Sequence, residues 1–156
     1  MKLIKYSFII LAIVSVSAYT MSDRQSSQFQ VKMQITEICD VGTSSSSDID
    51  FGTISRNTQD VQATGSLNVS CTNGTPYHIA LNSDGTLKNT HDVSLKLPYR
   101  LYQDASMSKE WGNISENRFS QHGTGQPQNI PIWGKVPNTN VPAGQYTDRV
   151  TATITY

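Results

Sequence analysis

The chain has 156 residues, enough for one domain behind a leader, and its 12 lysines and arginines cancel its 12 aspartates and glutamates. Charged residues make up only 15% of it, and no basic patch offers a footprint for nucleic acid. The residues that replace charge are Thr, Ser, Asn, Gln and β-branched or aromatic side chains, which fit pleated strands with neutral polar outer faces.

Taken in order, the chain opens with Lys2 and Lys5, an apolar run from Phe8 to Val14, and small residues ending at Ala18. These are the three parts of a secretory signal peptide, expected over residues 1–18 with cleavage after Ala18. The apolar run is well short of the roughly 20 residues a membrane span requires. Residues 19–28 are polar, and the domain is expected over 29–156.

The sequence Phe29-Gln30-Val31-Lys32-Met33-Gln34-Ile35-Thr36 places an apolar side chain at every odd position and a polar one at every even position. It is the cleanest strand pattern in the protein. Cys39 follows, then a run of serines, Ser44 to Ser47, that reads as a solvated loop before the chain re-enters at Ile49-Asp50-Phe51-Gly52. In Leu67-Asn68-Val69-Ser70-Cys71, Cys71 shares parity with Leu67 and Val69 and should face the core. After an Asn73-Gly74 turn, Tyr77, Ile79 and Leu81 repeat the pattern with His78 outward. From Val93 onward Leu95, Leu97, Tyr99 and Leu101 keep one parity, and Pro98 marks an edge or bulge because it lacks an N–H. Ile130, Ile132, Gly134 and Val136 make a strand around Trp133. The last residues alternate again, with Val150, Ala152, Ile154 and Tyr156 on one face. About seven strands at this spacing predict an all-β, antiparallel, immunoglobulin-like sandwich.

Only two cysteines occur, and export carries them into an oxidising compartment, so a Cys39–Cys71 disulfide is expected. Closing that loop constrains the unfolded chain by roughly 3 to 4 kcal/mol. Two cysteines cannot make a tetrahedral zinc site, and no CxxC motif is present. His78, His91 and His122 each lack a partner at ligand spacing, Asp48 and Asp50 lack a nucleophile, and Gly123-Thr124-Gly125 lacks the rest of a phosphate loop. The chain is expected not to be an enzyme and to hold no metal or cofactor. Asn68, Asn73 and Asn113 match the glycosylation pattern, as happens by chance in such a composition. Trp111 and Trp133 suit core or interface packing, with carbohydrate stacking as the alternative.

Ile49-Asp50-Phe51-Gly52, Ser66 to Cys71, Tyr99-Arg100-Leu101-Tyr102-Gln103-Asp104, Trp111-Gly112, Ile132-Trp133-Gly134 and Pro142-Ala143-Gly144-Gln145-Tyr146-Thr147-Asp148 together resemble the spore coat protein U domain. That family includes pilins of the archaic chaperone-usher class. The resemblance covers the chain from Phe29 to Tyr156. It implies a sandwich lacking its last strand, completed by donor-strand complementation. A periplasmic chaperone would fill the groove first, and the N-terminal segment of another pilus subunit would replace it at the outer-membrane usher. Tyr146 resembles the tyrosine-corner residue that ties down a loop.

In that reading Val150, Ala152, Ile154 and Tyr156 line the acceptor groove and Phe29, Val31, Met33 and Ile35 are the donor residues. Burying those four side chains would be worth about 6 to 12 kcal/mol before ordering costs. The stripe runs almost directly into Cys39, so residues 29–36 are either a donor with a very short linker or the first strand of their own domain. Two other functions stay open at this point. One is a secreted spore-coat or matrix protein without strand donation; the other is a sugar-binding adhesin domain.

Overall fold

The computed structural model describes residues 23–156, with residues 43–46 as backbone alone. The expected signal peptide, residues 1–18, lies outside the described residues. The chain divides into two units, one ending at Gln34 and one running from Ile35 to Tyr156.

Within the second unit every regular element is a strand: β1 (Cys39–Ser47), β2 (Gln59–Cys71), β3 (Pro76–Asn82), β4 (Thr86–Asn89), β5 (Lys96–Pro98), β6 (Arg100–Tyr102), β7 (Phe119–His122), β8 (Pro127–Asn138), β9 (Tyr146–Thr147) and β10 (Thr151–Thr155). They form three antiparallel sheets, in the orders β1-β2-β8-β6, β10-β3-β7 and β5-β4-β9. The described residues are therefore all-β, as the composition implies.

Alternation decides what enters the core. Val61, Val69 and Cys71 of β2, Ile130, Ile132 and Val136 of β8, and Tyr77, Ile79 and Leu81 of β3 are all buried, and they join one cluster with Leu97, Tyr99, Leu101 and Trp111. The long β2–β8 ladder makes this possible, because its register pairs Val61 with Val136 and Leu67 with Ile130 and so keeps both apolar sets on one face. Gly134 and Gly65 leave slots on that face. A Cβ on Gly134 would come within 3.0 Å of both Ile49 and Phe51, and one on Gly65 within 2.6 Å of Ile49. Residues 48–52 are thus held by packing without forming a strand.

Three local expectations are corrected. The serine run is not a loop: the backbone of β1 continues through it to Ser47, which pairs with Ser66 after a register shift. Backbone pairing to a long neighbour holds a strand whose own side chains give no signal. The parity from Leu95 to Leu101 belongs to two strands, because β5 pairs with β4 and β6 pairs with β8. The chain changes sheets at Tyr99, and both pieces face the same core. Pro98 sits at the end of β5, on the edge of its sheet, where its missing N–H costs no ladder bond. Val93, read as the start of that strand, is exposed.

Candidate assembly edge

Residues 23–38 contain no strand. Phe29, Val31, Met33 and Ile35 are 86 to 87% exposed, which leaves four large apolar side chains in water at period two. Among the described residues the first strand is β1, which Cys39 opens.

The start of β1 is tied down three ways. Cys39 lies directly opposite Cys71 in the β1–β2 ladder, with Cα atoms 4.1 Å apart, and the two form a disulfide. One residue earlier, the amide of Thr72 donates to the Ile38 carbonyl at 2.9 Å. The Ile38 amide donates to the Thr72 hydroxyl at 3.1 Å. The ladder is thereby prolonged to Ile38, and only Thr36 and Glu37 separate it from the stripe.

At the other end of the chain, β10 pairs with β3 from Thr151 opposite Asn82 to Thr155 opposite His78. It is an edge strand, and among the described residues no ladder joins its second side. Val150, Ala152 and Ile154 face the core but are only half-buried, whereas Tyr77, Ile79 and Leu81 on the adjacent β3 are covered. Val150 just precedes the strand, and Tyr156 just follows it and is 58% exposed. β1, the edge of the four-stranded sheet, approaches β10 without hydrogen-bonding to it. On β1, Cys39 and Val41 are likewise half-covered. Two sheet edges thus stand side by side, each with apolar side chains that nothing fully covers. A sheet edge beside a partly open core is the geometry that accepts an added strand.

The corner leading into β10 is held firmly. The Tyr146 hydroxyl donates to the Pro142 carbonyl at 2.8 Å, which is a tyrosine-corner contact. The Thr90 amide donates to the Gln145 carbonyl at 2.9 Å. The buried Asn89, opposite Tyr146 in the β4–β9 ladder, accepts from the amides of His91 and Asp92 through Oδ1. The Tyr99 hydroxyl donates to Asp148 at 2.7 Å. Burial pushes the Tyr99 phenol up to about 12, with the Asp148 carboxylate also favouring its neutral form. The final strand is therefore aimed by a fixed turn. The family resemblance pointed to Tyr146 and parity placed Tyr99 on the core face; nothing in the sequence pattern pointed to the Tyr99–Asp148 bond or to Asn89.

The tryptophans and histidines are engaged in packing and in hydrogen bonds within the domain. Trp111 is 3% exposed, donates its indole N–H to the Ile79 carbonyl at 2.9 Å and stacks on Phe119, so it cannot offer a face to a sugar. Trp133 is half-buried on the outer face of β8, opposite Tyr102. His78 bonds to Ser120 across the β3–β7 ladder, and His91 to the Thr90 hydroxyl. Among the described residues no group of three His, Cys, Asp or Glu side chains is placed to hold a metal ion.

Comparison with known proteins gives this geometry a setting. The Spore Coat Protein U domain profile matches residues 25–153. Protein U of Myxococcus xanthus is 36% identical over 110 aligned positions, spanning 62% of this chain and 62% of the relative. A similar fold occurs in the crystal structure of the CsuC-CsuE chaperone-tip adhesion subunit pre-assembly complex from archaic chaperone-usher Csu pili of Acinetobacter baumannii. The TM-score is 0.53 at 24% identity, over 78% of this chain and 40% of that one. The chain thus spans less than two thirds of either match.

Proposed function

We propose, from the premise that this chain belongs to the Spore Coat Protein U domain family, that it is a non-enzymatic structural subunit of an extracellular chaperone-usher pilus. It polymerises by donor-strand exchange. Its domain is an incomplete immunoglobulin-like sandwich whose open place lies between β1 and β10. Phe29, Val31, Met33 and Ile35 are the donor side chains, and Val150, Ala152, Ile154 and Tyr156 border the acceptor groove. A periplasmic chaperone covers the groove after export, and the N-terminal stripe of another subunit displaces it at an outer-membrane usher. The fibre at the cell surface supports adhesion or biofilm formation.

The observation that carries this reading is the stripe itself. Four side chains at strict period two, each more than four-fifths exposed, are costly in water and match the repeat of pockets that a strand-shaped groove presents. Lys32 on the opposite face explains why the register would be strict, since a one-residue slip would bury it. The test is a Met33→Asp subunit produced alongside its chaperone. The expected result is a chaperone complex at normal yield and no polymer. A polymer at wild-type level would show that the stripe does not donate.

A second reading, a secreted coat or matrix protein without strand donation, is favoured by the family's description and by the 36% identity to Protein U. It predicts a stable, unassembled monomer from the mature chain alone. Donor-strand exchange predicts that the same monomer aggregates.

A further inference from the structure

β6 closes the four-stranded sheet at the edge opposite β1, and beside it lies a cleft of about 250 Å³, none of whose lining residues belongs to β1 or β10. Its walls are β6, the connection from β3 to β4 at residues 83–85, and the segment from Glu110 to Asn117. Backbone bonds fix all three. The Tyr99 amide donates to the Gly85 carbonyl at 3.0 Å, the Trp111 amide to the Leu101 carbonyl at 2.8 Å, and the Leu81 amide to the Gly112 carbonyl at 3.0 Å. Leu81, Leu101 and Trp111, all buried, make an apolar floor.

The rim is polar, and its side chains are each held at one atom while another makes no hydrogen bond among the described residues. Arg100 Nη1 donates to Glu110 Oε2 at 2.8 Å, which leaves Glu110 Oε1 and Arg100 Nη2. Asn113 Nδ2 donates to Asn82 Oδ1 at 3.2 Å, which leaves Asn113 Oδ1. Asn117 Oδ1 accepts from the Ile114 amide at 3.0 Å, which leaves Nδ2, lying over Gly112 where a Cβ would collide with it. Charge cancels locally, since Arg100 pairs with Glu110 and Asp84 with Lys88.

We infer that this cleft is a binding site for a single neutral sugar ring of a glycan. A cleft below the size that encloses an extended ligand, with an apolar floor and preset donors and acceptors around it, fits a small ring that has a C–H face and hydroxyls at its edge. An anionic ring would meet Asp84 and Glu110, and a cationic one Arg100, so the paired rim selects against both. Trp111 seals the floor without stacking on the sugar, because its ring already lies against Phe119. The site belongs to one domain and needs no strand donation. One such contact is weak, because each group exchanges water for a hydroxyl at little net gain. A fibre of the kind proposed above repeats it, and repetition raises avidity without any new contact.

The test applies the full chain, recovered from the surface of producing cells, to immobilised neutral oligosaccharides of glucose, galactose, mannose and N-acetylglucosamine, with sialylated and sulfated glycans alongside. Binding to at least one neutral glycan is expected, competed by the matching free methyl glycoside. Asn113→Ala and Glu110→Ala should each lower that binding at least tenfold. Asn129→Ala, at an exposed polar site on β8, should leave it unchanged. Asn113 is exposed, so its variant keeps the fold whatever Glu110→Ala does, and an unchanged melting temperature checks this. Binding to no neutral glycan, or to charged glycans alone, would overturn the inference. So would full binding by both cleft variants, or a loss seen only in Trp133→Ala, which would place the sugar on the outer face of β8.

Discussion

Residues 29–35 and residues 77–81 carry the same pattern and meet opposite environments. In β3, Tyr77, Ile79 and Leu81 are at most 5% exposed, with β10 on one side and β7 on the other. In the N-terminal stripe, Phe29, Val31, Met33 and Ile35 alternate just as strictly and stand in water. Period two specifies that a segment has an apolar face; it does not specify which molecule covers that face. What separates the two is connection. Segment 77–81 follows a tight Asn73-Gly74 turn that folds it back onto the sheet, whereas 29–35 runs into a clamped Ile38 with no Gly, Asn, Asp or Pro between to reverse the chain.

Substitutions can break this contrast in graded ways. The largest effect is expected inside β3, where Ile79→Asp places an unpaired carboxylate in a fully buried site. A cost of more than about 4 kcal/mol should eliminate folded subunit, read as loss of the exported protein. Second is Cys39→Ser, which unties the boundary between the two regions. It should cost about 2 to 5 kcal/mol, measurable as a drop in denaturation midpoint of the chaperone-bound subunit. Third is Tyr146→Phe, which deletes the bond to Pro142 and should cost about 1 kcal/mol, visible as a lowered melting temperature with assembly retained. The smallest effect on the fold is expected from Val31→Asp in the stripe. It should change subunit stability by less than about 0.5 kcal/mol, since the site is exposed, while polymer formation falls to background. Equal destabilisation by Val31→Asp and Ile79→Asp would mean that the stripe belongs to its own domain's core after all.

Much of the fold was legible because a buried face imposes alternation. Leu67 to Cys71, Tyr77 to Leu81 and Ile130 to Val136 all stand where their parity predicts, and the family resemblance led to the Tyr146 corner. The remainder was hidden for identifiable reasons. β1 through Ser47 is held by backbone bonds to β2, and its serines are as common in loops as in edges. The passage from β5 to β6 keeps a single parity across a change of sheet, because both pieces face one core. β4, β7 and β9 are too short to show a period. Ile49 and Phe51 are positioned by slots at Gly65 and Gly134, a relation between residues far apart in sequence. At the assembly edge, the apolar stripe was visible in the sequence. The half-covered state of β10 was not visible in its alternation, since burial depends on which strands pair with it.

The clamp at Cys39 also decides how the domain carries tension. A pull along the N-terminal segment enters at Ile38 and meets the disulfide one residue later. The load passes through the sulfur bridge to Cys71, the last residue of β2, and on toward β3, so that β1 and the rest of β2 lie inside the disulfide loop. β1 therefore cannot be peeled from that end one bond at a time. The 32-position loop between the cysteines lies outside the force path. Stretched singly to rupture, the oxidised protein should extend about 110 Å less than the reduced protein, the contour length of the loop that the disulfide shields.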